Sequence, residues 1–183
     1  MLHRTERQIL KNIREGDTEA FTAFVNLYYK SVYSLLAYLS GDKNIAEDLT
    51  QDTFICAWAN IATYKGRASL KTWLHRIAYN KFVDSERKVR QTSAFVSGLT
   101  ENNYEIQENS EPFSEISKDE HSRILFDAMH KLDPDEYAVI VLHYIQDFSY
   151  REMAVVLKEP VGTVKWRTSR AIKKLKEILT GRI

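Results

Sequence analysis

The chain has 183 residues, 44% hydrophobic and 11% aromatic, enough apolar matter for one ordinary domain or two small ones. Its longest apolar runs are four or five residues, as at 138–142, against the ~20 that a membrane span needs, and residues 1–11 are too polar for a secretion signal, so a soluble cytoplasmic protein without direct membrane insertion is expected. The net charge of +1 conceals a partition: residues 1–90 carry 14 basic and 10 acidic side chains, residues 91–120 carry 1 and 7, and residues 121–183 carry 11 and 8.

Only 6 glycines and 3 prolines interrupt the chain, and its long segments repeat apolar residues near every 3.6 positions, which predicts an all-α fold. A first helix is expected over residues 2–15, closed by Gly16, with Asp17 capping the next. That second helix carries Phe21, Phe24, Val25, Tyr28, Val32, Leu35, Leu36 and Leu39 on one stripe and stops at Gly41. Asn44 and Glu47 form a capping box for a third helix over 45–60, whose apolar side holds Ile45, Leu49 and Trp58. Glu47, Asp48, Gln51 and Asp52 cluster on its other side. The lone cysteine, Cys56, precludes an internal disulfide and reads as a small buried hydrophobe rather than a redox group.

The loop TYKGRAS at 63–69 precedes a fourth helix, from 69 to about 90, that buries Leu70, Trp73, Leu74 and Ile77 and shows Thr72, Arg76, Asn80 and Arg87 on another face. Residues 91–120 are acidic, rich in Ser and Asn and without an apolar stripe, as expected of a linker. Helical pattern resumes at 124–132. Asp133-Pro134-Asp135-Glu136 then supplies a cap, a proline at the first helical position and a glutamate at the third, opening a helix through Tyr144. Ser149 and Glu152 cap a short helix to Leu157, and Lys158-Glu159-Pro160 breaks the chain before a last, basic helix.

The last helix contains GTVKWRTSRAIKKLK at 162–176, with six basic residues and no acid. At 100° per residue, Val164, Thr168, Ala171, Leu175 and Ile178 fall in one inward sector, while Trp166 projects opposite with Gly162, Ser169, Arg170 and Lys173, and Lys165 lies at the margin. Two short helices with a three-residue turn, the second basic, match the helix-turn-helix that lays its second helix in the DNA major groove. Small Ala154 suits the close approach of the two helices. Arg and Lys can donate to guanine edges or phosphates, and Trp can pack on a sugar or thymine methyl. Lys174, Lys176 and Arg182 suit phosphates. The five histidines show no metal-site spacing, so neither metal nor cofactor is expected.

LDPDEYAVIVLHYIQDFSYREMAVVLKEPVGTVKWRTSRAIKKLK, together with AEDLTQDTFICAW at 46–58 and LKTWLHRIAYNKFVDSERK at 70–88, resembles regions 4 and 2 of the bacterial extracytoplasmic-function (ECF) sigma factors of RNA polymerase. The resemblance covers nearly the whole chain. It implies a region 2-like domain at 1–90, an acidic linker at 91–120 that threads the polymerase or serves as a tether, and a region 4-like domain at 121–183.

The resemblance further implies that Glu47, Asp48, Gln51, Asp52 and Phe54 bind the clamp helices of the largest polymerase subunit, a face that reads as merely solvated without it. The second domain would meet the flap of the second-largest subunit. Tyr64, Lys65, Arg67, Ser69, Arg76, Asn80 and Arg87 would read a melted -10 element, with Tyr64 stacking on a base. Thr163, Lys165, Trp166, Arg167, Ser169, Arg170 and Lys173 would read the -35 duplex. Trp166 departs from the family's common GTVKSR pattern. The resemblance also implies an anti-sigma partner. Two other classes compete: a helix-turn-helix regulator with an N-terminal sensing domain, for which no strands or ligand pocket are visible, and a DNA-cutting or recombining enzyme, for which the residues 47–52 offer carboxylates without accompanying histidines or phosphate loop. An enzyme is not expected.

Overall fold

The structure is a computed structural model that describes residues 4–96 and 120–181. Its described part is helical, with no strand: α1 (Arg4–Arg14), α2 (Thr18–Ser40), α3 (Lys43–Asn60), α4 (Leu70–Val96), α5 (Glu120–His130), α6 (Pro134–Ile140), α7 (Tyr150–Leu157) and α8 (Val161–Leu179). Helix α4 continues six residues into the segment expected to be linker, and the rest of that segment, 97–119, lies outside the described residues.

Local chemistry sets the boundaries. Asp17 accepts from the backbone N–H groups of Glu19 and Ala20 at 2.8 and 3.0 Å, satisfying donors that the first turn of α2 leaves unpaired. Gly41 closes α2 with φ 67°, a conformation that carries no steric penalty only for glycine. The cap of α3 is Asp42 rather than the expected Asn44: its carboxylate takes the N–H groups of Asn44 and Ile45 at 2.7 and 3.0 Å. Capping boxes at Asp133/Glu136 and Ser149/Glu152 open α6 and α7 as the sequence predicts.

The N-terminal bundle packs α2 against α1, α3 and α4, around fully buried Phe24, Val32, Leu35, Leu36 and Leu74. Helix α3 is rotated from its expected orientation. It buries Ala46, Leu49, Thr50, Thr53, Phe54 and Ala57 and leaves Ile45 and Trp58 partly exposed. The Thr50 and Thr53 hydroxyls donate to the carbonyls of Ala46 and Leu49 at 2.6 and 2.7 Å, so these polar-looking residues enter the core with their hydrogen bonds satisfied. Trp58 lies edge-on to Phe21 at 4.7 Å.

The C-terminal helices pack α6 and α7 against α8 around Leu142, Met153, Val156, Val164 and Ala171. Helix α6 runs on as a π turn over Val141–Ile145, after which Gln146 and Phe148 turn back toward the N-terminal bundle. The two halves meet where α7 packs on α4. Ser31 donates to the Gln146 side chain and lies against His75 Nε2, both at 3.0 Å. The Gln146 amide donates to Ser34 at 3.2 Å and the Lys71 ammonium to the Gln146 carbonyl at 2.7 Å. Phe148 packs edge-on to His75 at 5.0 Å. At the other end of the seam, the Tyr137 hydroxyl donates to the Tyr38 carbonyl at 2.9 Å.

Candidate nucleic-acid interface

The turn between α7 and α8 is built without glycine. Lys158 takes a left-handed φ of 58°, and its N–H and that of Glu159 both close on the Ala154 carbonyl. Pro160 then precedes Val161 with an extended ψ of 142°, which ends one helix and aims the next. Helix α8 buries Val164, Thr168, Ala171 and Leu175, matching the expected inward sector, with the Thr168 hydroxyl donating to the Val164 carbonyl at 2.8 Å. Its outward face presents Gly162, Lys165, Trp166, Ser169, Arg170 and Lys173, with Trp166 59% exposed.

Of the seven α8 residues expected at DNA, Lys165, Trp166, Ser169, Arg170 and Lys173 stand outward and Thr163 is half-buried. Arg167 is only 16% exposed and pairs with Glu159 at 2.7 Å and Asp135 at 3.9 Å. That pairing is structural in character, tying α8 to the turn and to α6.

The absence of acids within the basic stretch proves misleading, because acids reach it from elsewhere. Lys174 sits between Asp133 at 3.2 Å and Glu136 at 3.3 Å, not free for a phosphate as expected. The hydrogen bond from Lys174 holds the Asp133 carboxyl below its ordinary range, and the same bond raises Lys174. Arg170 contacts Glu136 through Nε at 2.9 Å and stacks its guanidinium 5.4 Å from the Trp166 ring centroid. Lys165 lies 5.9 Å from the Tyr150 ring and Lys176 is exposed, while Arg182 falls outside the described residues.

The second basic region surrounds the loop before α4. Lys65, Gly66 and Arg67 are exposed, Gly66 with φ 70°. Tyr64, expected to offer its ring to a base, is 5% exposed: it packs 5.4 Å from Trp73 and donates its hydroxyl to the Ala68 carbonyl at 2.7 Å. The large aromatic body gains more from the core than from solvent, and its hydroxyl finds a local partner. The Ser69 hydroxyl accepts from the Thr72 N–H at 3.0 Å as the α4 cap. Arg76 and Arg87 are exposed, Arg87 3.9 Å from Asp84, and Asn80 is half-buried. Thr72, expected beside them, is buried against α7, 3.4 Å from Glu152.

An open cavity of about 670 Å³ adjoins this loop, lined by Arg7, Lys11, Arg14, Tyr64, Lys65 and Gly66 among others. Sequence reasoning passed over α1, although Arg7, Lys11 and Arg14 recur at helical spacing and a basic stripe was there to be read.

On α3, Glu47, Asp48, Gln51 and Asp52 are exposed together, with Asp52 3.6 Å from Lys81. Phe54 turns the other way, into the core beside Phe24 and Tyr29. The apolar member of the outer face is Ile55, 67% exposed, which the sequence reading did not single out.

Among the described residues no cluster of His, Cys, Asp or Glu is suited to a metal ion, and no helix is long and apolar enough to cross a membrane.

Residues 24–92 match the family model Sigma-70 region 2, and residues 122–175 match Sigma-70, region 4. The chain is 34% identical over 177 residues to the ECF RNA polymerase sigma factor SigW of Bacillus subtilis, covering 93% of this chain and 94% of that protein. It is 30% identical over 175 residues to the ECF RNA polymerase sigma-E factor of Haemophilus influenzae, covering 91% of each. Among solved structures it is similar to the sigma factor RpoE in complex with the anti-sigma factor NepR from Bartonella quintana, with TM-score 0.69, 28% identity, and 87% of this chain and 96% of that one covered. It is also similar to CnrH in complex with the cytosolic domain of CnrY, with TM-score 0.66, 26% identity, and 97% and 99% covered.

Proposed function

The chain belongs to the ECF sigma factors of RNA polymerase, promoter-recognition subunits that direct initiation, and from that premise we propose how its surfaces divide the work. The outward face of α8 reads the duplex -35 element through Lys165, Trp166, Ser169, Arg170 and Lys173. Lys65, Arg67, Arg76, Asn80 and Arg87 meet the melted -10 strand. Glu47, Asp48, Gln51, Asp52 and Ile55 form the docking face for the clamp helices. It acts in the cytoplasm and contributes no chemistry of its own.

The observation that carries the reading is the division of α8: four buried small or apolar residues on one side and an exposed tryptophan among basic residues on the other. An exposed tryptophan is unusual on a merely solvated helix, and a basic face set in a helix-turn-helix is suited to the major groove. The solved structures it resembles hold a sigma factor with its anti-sigma factor, or CnrH with CnrY, which supports a protein antagonist for this chain as well.

Purified protein added to bacterial core polymerase is expected to start transcription at promoters that core alone ignores. Tight binding to promoter-like DNA without core, and no such transcription, would instead favour the regulator reading. Trp166→Ala is expected to change which -35 sequences are used; unchanged preference would remove Trp166 from the DNA face.

A further inference from the structure

The recognition helix holds one arginine in a way its neighbours do not share. We propose that Glu136, on α6, is a positioning residue for base readout: its carboxylate and the Trp166 indole together fix the Arg170 guanidinium so that its terminal amino groups address a guanine in the -35 duplex.

Glu136 is 4% exposed and Arg170 55% exposed, so one end of the ion pair is anchored in protein and the other faces solvent. Glu136 divides its two oxygens. Oε2 lies 3.3 Å from Lys174 and 3.4 Å from the Asp133 N–H. Oε1 has no hydrogen bond of good angle and is compensated by the ion-pair contact with Arg170 Nε at 2.9 Å. A buried carboxylate oxygen without its cation would be strongly disfavoured, so Glu136 holds Arg170 firmly. Trp166 covers the guanidinium plane from outside, at 5.4 Å, within the range of a cation–π contact.

Nε therefore lies against the buried carboxylate and the plane is covered. Asp133 approaches Nη2 only to 3.8 Å, beyond hydrogen-bond range. The terminal amino groups remain, and their paired N–H donors match the O6 and N7 acceptors that guanine presents in the major groove. Arg167, by contrast, ends on Glu159 and is 16% exposed, and Lys173 meets only Glu177 at 3.8 Å. Arg170 alone on this face combines a buried anchor with an exposed fork. A long side chain ordered before binding loses less freedom on contact, which favours discrimination as well as affinity.

The inference rests on the reading of α8 as the -35 helix, and the test separates the two. The full chain with core polymerase is assayed on a promoter library randomised across the -35 element, comparing Arg170→Ala, Glu136→Gln, Trp166→Ala and Trp166→Phe, with melting temperatures recorded for each. Arg170→Ala is expected to lose preference for guanine at one position. Glu136→Gln and Trp166→Ala, which leave the Arg170 fork itself in place, are expected to weaken the same preference by roughly tenfold, the scale of one bidentate base contact, while Trp166→Phe retains it. A purely structural role would lower activity on all promoters alike and leave the ratio unchanged. If Glu136→Gln and Trp166→Ala keep the guanine preference that Arg170→Ala loses, the positioning role is overturned and the α8 reading stands. If Arg170→Ala itself changes no preference, the α8 reading falls and takes the positioning role with it.

Discussion

His75 is fully buried where α2, α4 and the chain after the π turn converge. It faces Ser31, Gln146, Phe148 and the Lys71 carbonyl. Burial pushes its pKa down to about 4, so the native protein holds the neutral ring while the unfolded chain takes up a proton near the ordinary value of 6.5. The sign follows: the contribution is fully present above about pH 6.5 and is lost as pH falls toward 4, amounting to about 3 kcal/mol at most. Urea unfolding at pH 7 and pH 4.5 is expected to show a smaller loss of stability for His75→Gln than for the parent; an equal loss in both would contradict the assignment. Tyr64 makes a second case. Tyr64→Phe removes only the bond to Ala68 and is expected to lower stability by about 1 kcal/mol without altering -10 use in transcription assays, because the ring faces Trp73 rather than solvent. A shift in -10 preference for that variant would return the hydroxyl to the reading surface.

At the scale of elements, α8 was the most legible helix, because Val164, Ala171 and Leu175 are apolar and their period is unambiguous. Helix α3 was less so. Beside Leu49 and Phe54, its buried side is built of Ala46, Thr50, Thr53 and Ala57, small or hydroxyl-bearing residues that carry little hydrophobic signal, while Ile45, Ile55 and Trp58 advertise a core from which they stay largely exposed. Threonine hydroxyls satisfied by their own helix cannot be distinguished from exposed ones by composition. The π turn at Val141–Ile145 left no trace in the sequence either, since no Gly or Pro marks it. The acidic partners of α8 were missed because ion pairs between helices depend on packing, not spacing. The orientation of α3 is checkable. Ala57→Leu would overfill a fully buried site and is expected to lower stability by about 1–3 kcal/mol in urea unfolding. Ile55→Ala, on the outer face, is expected to leave stability within about 0.5 kcal/mol yet weaken binding to core polymerase. The reverse pattern would restore the orientation expected from sequence.

At the scale of the whole molecule, the seam between the halves sets a geometric limit. The -10 and -35 elements lie about 25 base pairs apart, or about 85 Å at roughly 3.4 Å per pair. At the compactness usual for their number, the 155 described residues, 93 in 4–96 and 62 in 120–181, have a radius of gyration of about 15 Å and a diameter of about 40 Å. With α7 packed on α4, the two proposed reading surfaces cannot lie on their elements together, so on that proposal engagement of a whole promoter requires the seam to part. The contacts that must part combine polar bonds, Gln146 with Ser31 and Ser34, Lys71 with the Gln146 carbonyl, and Tyr137 with the Tyr38 carbonyl, with aromatic packing of Phe148 on His75 and Phe126 on Tyr38. Gln146→Ala combined with Tyr137→Phe is expected to raise the radius of gyration in small-angle X-ray scattering while each half keeps its helicity; an unchanged radius would assign the halves' association to other contacts.

A seam that has to part also governs dosage. A partner that needs the chain extended experiences only the open fraction of it, so its apparent dissociation constant is the intrinsic one divided by that fraction. Each tenfold bias toward the closed form, about 1.4 kcal/mol, demands ten times as much free polymerase for the same number of transcripts. Gln146, which has no DNA-reading role of its own in this scheme, is on that premise a setting for the threshold at which the cell's supply of this subunit begins to count.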